Sequence, residues 1–320
     1  MNPNADSASV QLAFLAGVPR AGITWLSRAL NRHPEVAVFG QSRFWGKHYI
    51  EPDAQGLYGS REQRRLIAKI NAFEWNATVG RAPGCLAGLS LPQFRALLVS
   101  AVESLDTPAT PATVYAALSA AVAHSQKASI VIEKTPHHVL YADRIVRAFP
   151  AARLLLLHCP PFPHMAALKG QRDLRYHPLA AALIWRKYDA AIRACAKRFR
   201  ANTTVVGVMS LAHEPHQTLQ SLGKELGTAE FDWLGGMPPF DFGLPHGQLP
   251  QLDAADAFWM GHINRGAAGM TGAIAPPGLP VLKSLLTLPA YALHNLNVAR
   301  REVEGSLFDY YRRWFSAGAG

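Results

Sequence analysis

The sequence predicts an α/β protein with a doubly wound, mainly parallel sheet flanked by helices. Three observations lead there. Short runs such as Leu12-Ala13-Phe14-Leu15-Ala16 and Arg153-Leu154-Leu155-Leu156-Leu157-His158 are apolar without alternation, as strands buried on both faces are. Segments with apolar residues at three- and four-residue steps separate these runs, so strand and helix alternate along the chain. The first run passes through the glycine-containing turn Gly17-Val18-Pro19-Arg20-Ala21-Gly22-Ile23-Thr24 straight into a helical pattern.

In chain order, Leu12–Ala16 reads as the first strand, closed by Gly17. Trp25, Leu26, Ala29 and Leu30 have helical spacing, and His33-Pro34 stops that helix because proline disfavours helix in the residue before it. Val36–Phe39 reads as a second strand closed by Gly40, and Gly46–Ser60 as a loop. Leu91–Leu105 and Ala112–His124 read as amphipathic helices. Ser129–Glu133, rich in β-branched residues, is a strand; Ala142–Phe149 is a helix ended by Pro150; Arg153–His158 is a strand. Leu179–Phe199 and Thr204–Val208 repeat the helix and strand pattern. Gly235–Pro250 and Gly261–Pro280 are expected to be long excursions, and the whole of residues 1–320 one domain.

The 320 residues, 49% hydrophobic and 17% charged, suffice for a large core. No apolar run is long enough to span a membrane and the N-terminus lacks a basic secretory start, so a cytoplasmic protein is expected. Cys85, Cys159 and Cys195 are far apart, as reduced thiols would be. The formal charge of +10 suits an anionic partner. Its lysines and arginines are scattered over helix faces with no aromatic-interleaved basic motif, which argues against nucleic acid beyond a nucleotide.

A tight turn between a buried strand and a helix presents backbone N–H groups at the helix N-terminus, where the macrodipole also favours an anion. Pro19, Arg20, Ala21, Gly22, Ile23, Thr24 and Trp25 make up that turn and the helix start. Arg20 adds a cation, Thr24 a hydroxyl donor, and Gly22 allows close backbone approach.

Residues Gly17–Leu26, followed by Arg28-Ala29-Leu30-Asn31-Arg32-His33-Pro34, resemble the loop and first helix of sulfotransferases that use 3′-phosphoadenosine 5′-phosphosulfate (PAPS), whose motif reads GxP(K/R)SGTTWL with a helix closing in HP. Val38–Gly46 is similar to the family's next segment, Glu133-Lys134-Thr135-Pro136 to its EKTP motif, Phe149–Leu154 to its FPxAKL strand entry and Leu179–Arg186 to the following helix. The resemblance spans about Leu12–Leu222. It implies the sulfotransferase (P-loop-like) fold and transfer of a sulfuryl group from PAPS, without a metal, to a hydroxyl or amine of a small molecule. It also implies that Lys134 lines the transfer site.

The chain departs from that pattern at positions that matter for chemistry. Ala21 and Ile23 replace hydroxyl residues of the loop. Gln41 stands where a glutamate serves as base, and an amide cannot accept the proton. His158 replaces an arginine, and Ala166 a serine, that hold the 3′-phosphate, a loss of roughly 3 to 5 kcal/mol in charge-assisted hydrogen bonds. Protonated His158, or Arg265 from the late glycine-rich segment, is expected to recover part of it. His138 and His48 are candidate replacement bases because imidazole titrates near neutral pH, and His137 lies beside the first; each also fits a plain structural histidine, and Lys134 a structural ion pair. These losses leave open a second reading, the same fold turned to another reaction or to binding alone. His158, Cys159 and His164 do not form a metal set, since neighbours at a strand end diverge. Gly266–Gly272 resembles a dinucleotide fingerprint only in composition.

Overall fold

The computed structural model describes residues 10–46, 48–72, 89–170, 176–240, 242, 249–265 and 277–302, with side chains through 294 in the last helix. Cys85, the Gly266–Gly272 string and parts of both expected excursions lie outside these residues.

Five strands form one sheet in the order β2-β3-β1-β4-β5, with all four pairings parallel. They are β1 (Gln11–Gly17), β2 (Val36–Gly40), β3 (Ile130–Lys134), β4 (Arg153–His158) and β5 (Thr203–Gly207). The central three are apolar and nearly fully buried, from Ala13, Phe14 and Leu15 in β1 to Leu154–Leu157 in β4. That is the burial expected of a sheet covered on both faces. The edge strand β5 is less covered, with Val205 exposed.

The helices between the strands are α1 (Ile23–Leu30), α2 (Ser60–Ala72), α3 (Leu91–Glu103), α4 (Pro111–Gln126), α5 (Ala142–Ala148), α6 (Pro161–Lys169) and α7 (Pro178–Arg198). After β5 come α8 (Val208–His213), α9 (Pro215–Leu226), α10 (Ala254–Ile263) and α11 (Leu279–Glu302). A 3₁₀ turn over Pro136–Tyr141 leads from β3 into α5. Local chemistry sets several starts. Ser90 and Gln93 form a capping box on α3, Thr110 accepts from the Thr113 N–H of α4, and proline occupies the first turn of α3, α4, α6, α7 and α9, where its missing N–H costs nothing.

The second expected excursion is shorter than its composition suggests. Gly261–Ile263 belong to α10, and Leu279 opens α11. The capping box of Asp253 and Asp256 starts α10, and Gly261 lies buried within it. Helical spacing there outweighs the weak helix propensity of glycine.

The order of strands decides where a ligand can sit. The chain leaves β1 toward β2 on one side, then returns to β4 and β5 on the other, so the crevice of the sheet opens at the carboxyl ends of β1 and β4. Gly17 is the point of closest approach: its φ is +133°, and a Cβ there would lie 2.1 Å from the Leu157 carbonyl oxygen. Val18 N–H donates to that same oxygen at 3.0 Å. We expect Gly17→Ala to cost about 3 kcal/mol or more in chemical denaturation, through strain and backbone clash together. A loss below about 1 kcal/mol would mean that β4 is not held against the loop in this way.

Candidate functional site

The loop after β1 is wound by two left-handed residues, Arg20 at φ +61° and Gly22 at φ +83°. Gly22 is the N-cap of α1, which has neither a side-chain cap nor an acidic residue in its first turn. Its first N–H groups are thus left without the side-chain acceptor that usually satisfies them. Ala21 and Ile23, the two positions without hydroxyls, are buried in the core. Both side chains contribute packing and no hydrogen bond.

Lys134 ends β3, in register with Leu15 of β1 and Gly40 of β2. Its side chain is 1% exposed, and Nζ lies 3.4 Å from Thr24 Oγ1. A lysine so deeply placed, within reach of a hydroxyl at the start of α1, brings its side-chain nitrogen to the same loop that carries Arg20. Strand alternation turns the neighbouring Glu133 to the opposite face. There its register partners Phe14 and Phe39 pack against Tyr115 of α4.

Glu133 organises the segment that carries Gln41. Its Oε1 accepts from the Ser42 N–H and hydroxyl, each at 2.9 Å, and from the Thr135 hydroxyl at 2.5 Å. Gln41 has φ +56° and its N–H donates to the Lys134 carbonyl at 2.7 Å, so the residue in the base position sits beside the lysine backbone. Glu133 Oε2 lies 2.7 Å from His138 Nδ1, and both side chains are 1% exposed. His138 is therefore held in a buried pair on the face away from Thr24, with Phe14 beside its ring. The EKTP glutamate, which sequence reasoning left without a role, is the anchor here. Its signal was its place in a strand covered on both faces, where a carboxylate needs hydrogen-bond partners whichever way it points. His137 is exposed and pairs with the Tyr188 hydroxyl. His48 is half-buried in the turn after β2, its N–H donating to the Arg43 carbonyl.

At the end of β4, His158 turns to α7. Its Nε2 lies 3.1 Å from Asp189 Oδ1, while Asp189 Oδ2 lies 2.5 Å from an Arg193 nitrogen. A cavity of about 160 Å³ next to this pair is lined by Trp185, Arg186, Asp189, Arg193 and Arg265, among others. Three arginines, Arg186, Arg193 and Arg265, thus border a cavity beside Asp189, the carboxylate with which His158 is engaged. Ala166 is buried and offers no donor. A larger groove of about 700 Å³ runs from Trp45 and Tyr49 to Arg144 and Arg198; neither the loop residues 17–24 nor Lys134 line it.

Two contacts outside the expected set hold the loop. Trp25 Nε1 donates to the Pro238 carbonyl at 2.8 Å, and Phe240 packs edge-on against Trp25 at 5.3 Å and over Gly22, where a Cβ would lie 2.3 Å from its ring. On the other side, His164 of α6, wholly buried, places Nε2 3.1 Å from the Pro19 carbonyl. Nε2 must carry the proton, since a carbonyl only accepts. Burial depresses the His164 pKa to about 4, with the hydrogen bond to Pro19 opposing it. The thiol of Cys159, also buried, is pushed well above its usual range. Among the described residues no three His, Cys, Asp or Glu side chains gather as a metal set.

The model of the sulfotransferase family matches residues 13–232. The chain belongs to that family. Among solved structures, the chain is similar to the sulfotransferase domain from the olefin synthase of Synechococcus PCC 7002, at 19% identity and TM-score 0.50, covering 87% of this chain and 94% of that one. It is also similar to the sulfotransferase domain from the curacin biosynthetic pathway, at 15% identity and TM-score 0.46 over 87% of this chain and 97% of that one. A sulfotransferase from Alicyclobacillus acidocaldarius gives 14% identity and TM-score 0.40, over 79% and 94% respectively. No curated protein matches the chain. At these identities the likeness concerns the α/β fold.

The buried neutral His164 has a consequence for acid stability. Its pKa is near 6.5 when unfolded and about 4 when folded, so between those values the unfolded chain binds the extra proton and stability falls as pH falls. Comparing unfolding free energies of the wild type and His164→Gln at pH 7 and pH 4 should show a contribution of roughly 3 kcal/mol lost by the wild type alone. Identical pH profiles for the two proteins would place His164 in contact with solvent.

Proposed function

We propose that this protein transfers a sulfuryl group from PAPS to a hydroxyl or amine of a small molecule. The observation that supports this most strongly is the pairing of Lys134 Nζ with Thr24 at 3.4 Å across the mouth of the phosphate loop. The loop amides and Arg20 hold the 5′-phosphosulfate, and Lys134 offsets the charge that develops between sulfur and the departing oxygen. In the step itself the acceptor oxygen or nitrogen bonds to sulfur, the bond from sulfur to the bridging phosphate oxygen breaks, and 3′-phosphoadenosine 5′-phosphate leaves. The acceptor's proton goes to a base, and we assign that role to His48. His138 is already committed to Glu133 on the other face, and Gln41 has no basicity. The 3′-phosphate is met by Arg265 with Arg186 and Arg193 in place of the missing arginine and serine. The protein is cytoplasmic in this reading, with a small-molecule acceptor.

The contact between His158 and Asp189 favours a second reading, a fold repurposed for another reaction or for binding. The residue at the clamp position is engaged with a carboxylate that would also repel a phosphate. One assay separates the two. If the chain is a sulfotransferase, labelled PAPS with a panel of phenols, alcohols and amines should give transfer. His48→Ala should lower it about a hundredfold or more, since general-base catalysis contributes about two to four orders of magnitude, while Gln41→Glu should matter little with His48 already serving as base. No transfer by wild type, by Gln41→Glu, or by Gln41→Glu combined with His158→Arg and Ala166→Ser would establish the second reading instead.

A further inference from the structure

Of the large hydrophobic side chains that the described residues leave exposed, most lie on one element, α11: Leu279, Leu282, Leu285, Leu286 and Leu293. At about 100° per residue, Leu279, Leu282, Leu286 and Leu293 fall within about 60° of one another, and they are 58% to 81% exposed. The opposite side of the helix holds it to the body through Val281 and Ser284, both buried, with Leu288 and Tyr291 half-buried. Specific hydrogen bonds set this orientation. Trp259 Nε1 of α10 donates to Ser284 Oγ at 2.9 Å, His177 Nε2 lies 2.8 Å from the Ser284 carbonyl, and the His177 ring packs on Tyr291 at 5.3 Å. Rolling the helix to hide its leucines would break both bonds. The leucine stripe is thus turned outward by design of the fold, on a contiguous apolar patch of the kind that marks an interaction surface.

We propose that this face of α11 docks on an anionic lipid surface, with the leucines entering the boundary between headgroups and acyl chains. Charge chooses the occupant. Among the side chains described in α11, residues 279–294, Lys283 flanks the stripe and there is no Asp or Glu; Arg300, Arg301 and Glu302 close the helix, on a chain of net charge +10. Two copies meeting through this stripe would bring their Lys283 side chains together with no carboxylate among the described side chains of α11 to pair with them. An anionic bilayer accepts both the leucines and the cations. Among the described residues no helix is long and apolar enough to cross a membrane, so α11 lies on the surface. The inference does not depend on sulfuryl transfer, and either reading can fail alone.

Vesicle flotation of the full chain tests it. Vesicles containing phosphatidylglycerol should carry the protein upward at low salt, neutral phosphatidylcholine vesicles should not, and added salt should release it. Leu282→Gln with Leu286→Gln should weaken binding about tenfold or more, with circular dichroism unchanged because both positions are exposed. Lys283→Glu, which keeps every leucine, should weaken it about fivefold. Absence of binding to anionic vesicles would overturn the proposal, as would binding that the leucine variants leave unchanged. A stable dimer that becomes monomeric in the leucine variant would overturn it in favour of a second copy, and loss of a bound acidic protein in that variant, without vesicle binding, in favour of a protein partner.

Discussion

The candidate site depends on the close packing of β1 against β4 at Gly17. Because nothing larger than hydrogen fits between Gly17 and the Leu157 carbonyl, the chain can leave the strand directly beneath the crevice and accept the left-handed turn that follows. Val18 then bonds to Leu157, Arg20 and Gly22 reverse the backbone, and α1 begins with its N–H groups facing the mouth. Every other contribution is placed relative to that turn. Lys134 reaches it because β3 lies next to β1 in register, His164 supports it from α6, and Trp25 ties it to Pro238 above.

Around the turn, backbone and side chains contribute differently. The turn supplies the N–H groups at the start of α1, a threonine hydroxyl and an arginine, with the Lys134 side-chain nitrogen beside Thr24. The neighbouring positions are held by packing and pairing. Ala21 and Ile23 join the core, Ala166 is packed, and His158 acquires Asp189 as a partner, itself shared with Arg193. Arginines from α7 and from the end of α10 border the cavity beside that pair.

Much of this was legible in the residues, for identifiable reasons. The strands β1 and β4 announce themselves because a buried parallel strand tolerates little but apolar residues, and the loop because Gly17 and Gly22 stand at positions where other residues would be strained. The placement of Lys134 followed from a motif and a strand end. What could not be read was side-chain orientation set by distant partners. Nothing in His137-His138 tells which imidazole enters the core; Glu133 and the Tyr188 hydroxyl decide it. His164, which with His158 and Cys159 made no metal set, supports the Pro19 carbonyl from α6, 145 residues further along the chain. The glycine count of 261–280 suggested a loop, whereas the capping box at Asp253 had already committed its first three residues to helix.

The central claim is that the turn after β1 holds the phosphosulfate end of an adenine nucleotide. Calorimetric titration at low salt with 3′-phosphoadenosine 5′-phosphate, the product nucleotide, tests it without requiring an acceptor or a base. Saturable binding should be seen, weakened about tenfold or more by Arg20→Ala, as expected for removal of a charge-assisted hydrogen bond. A folded wild-type protein that gives no binding heat at millimolar nucleotide, or whose affinity is untouched by Arg20→Ala, would contradict it.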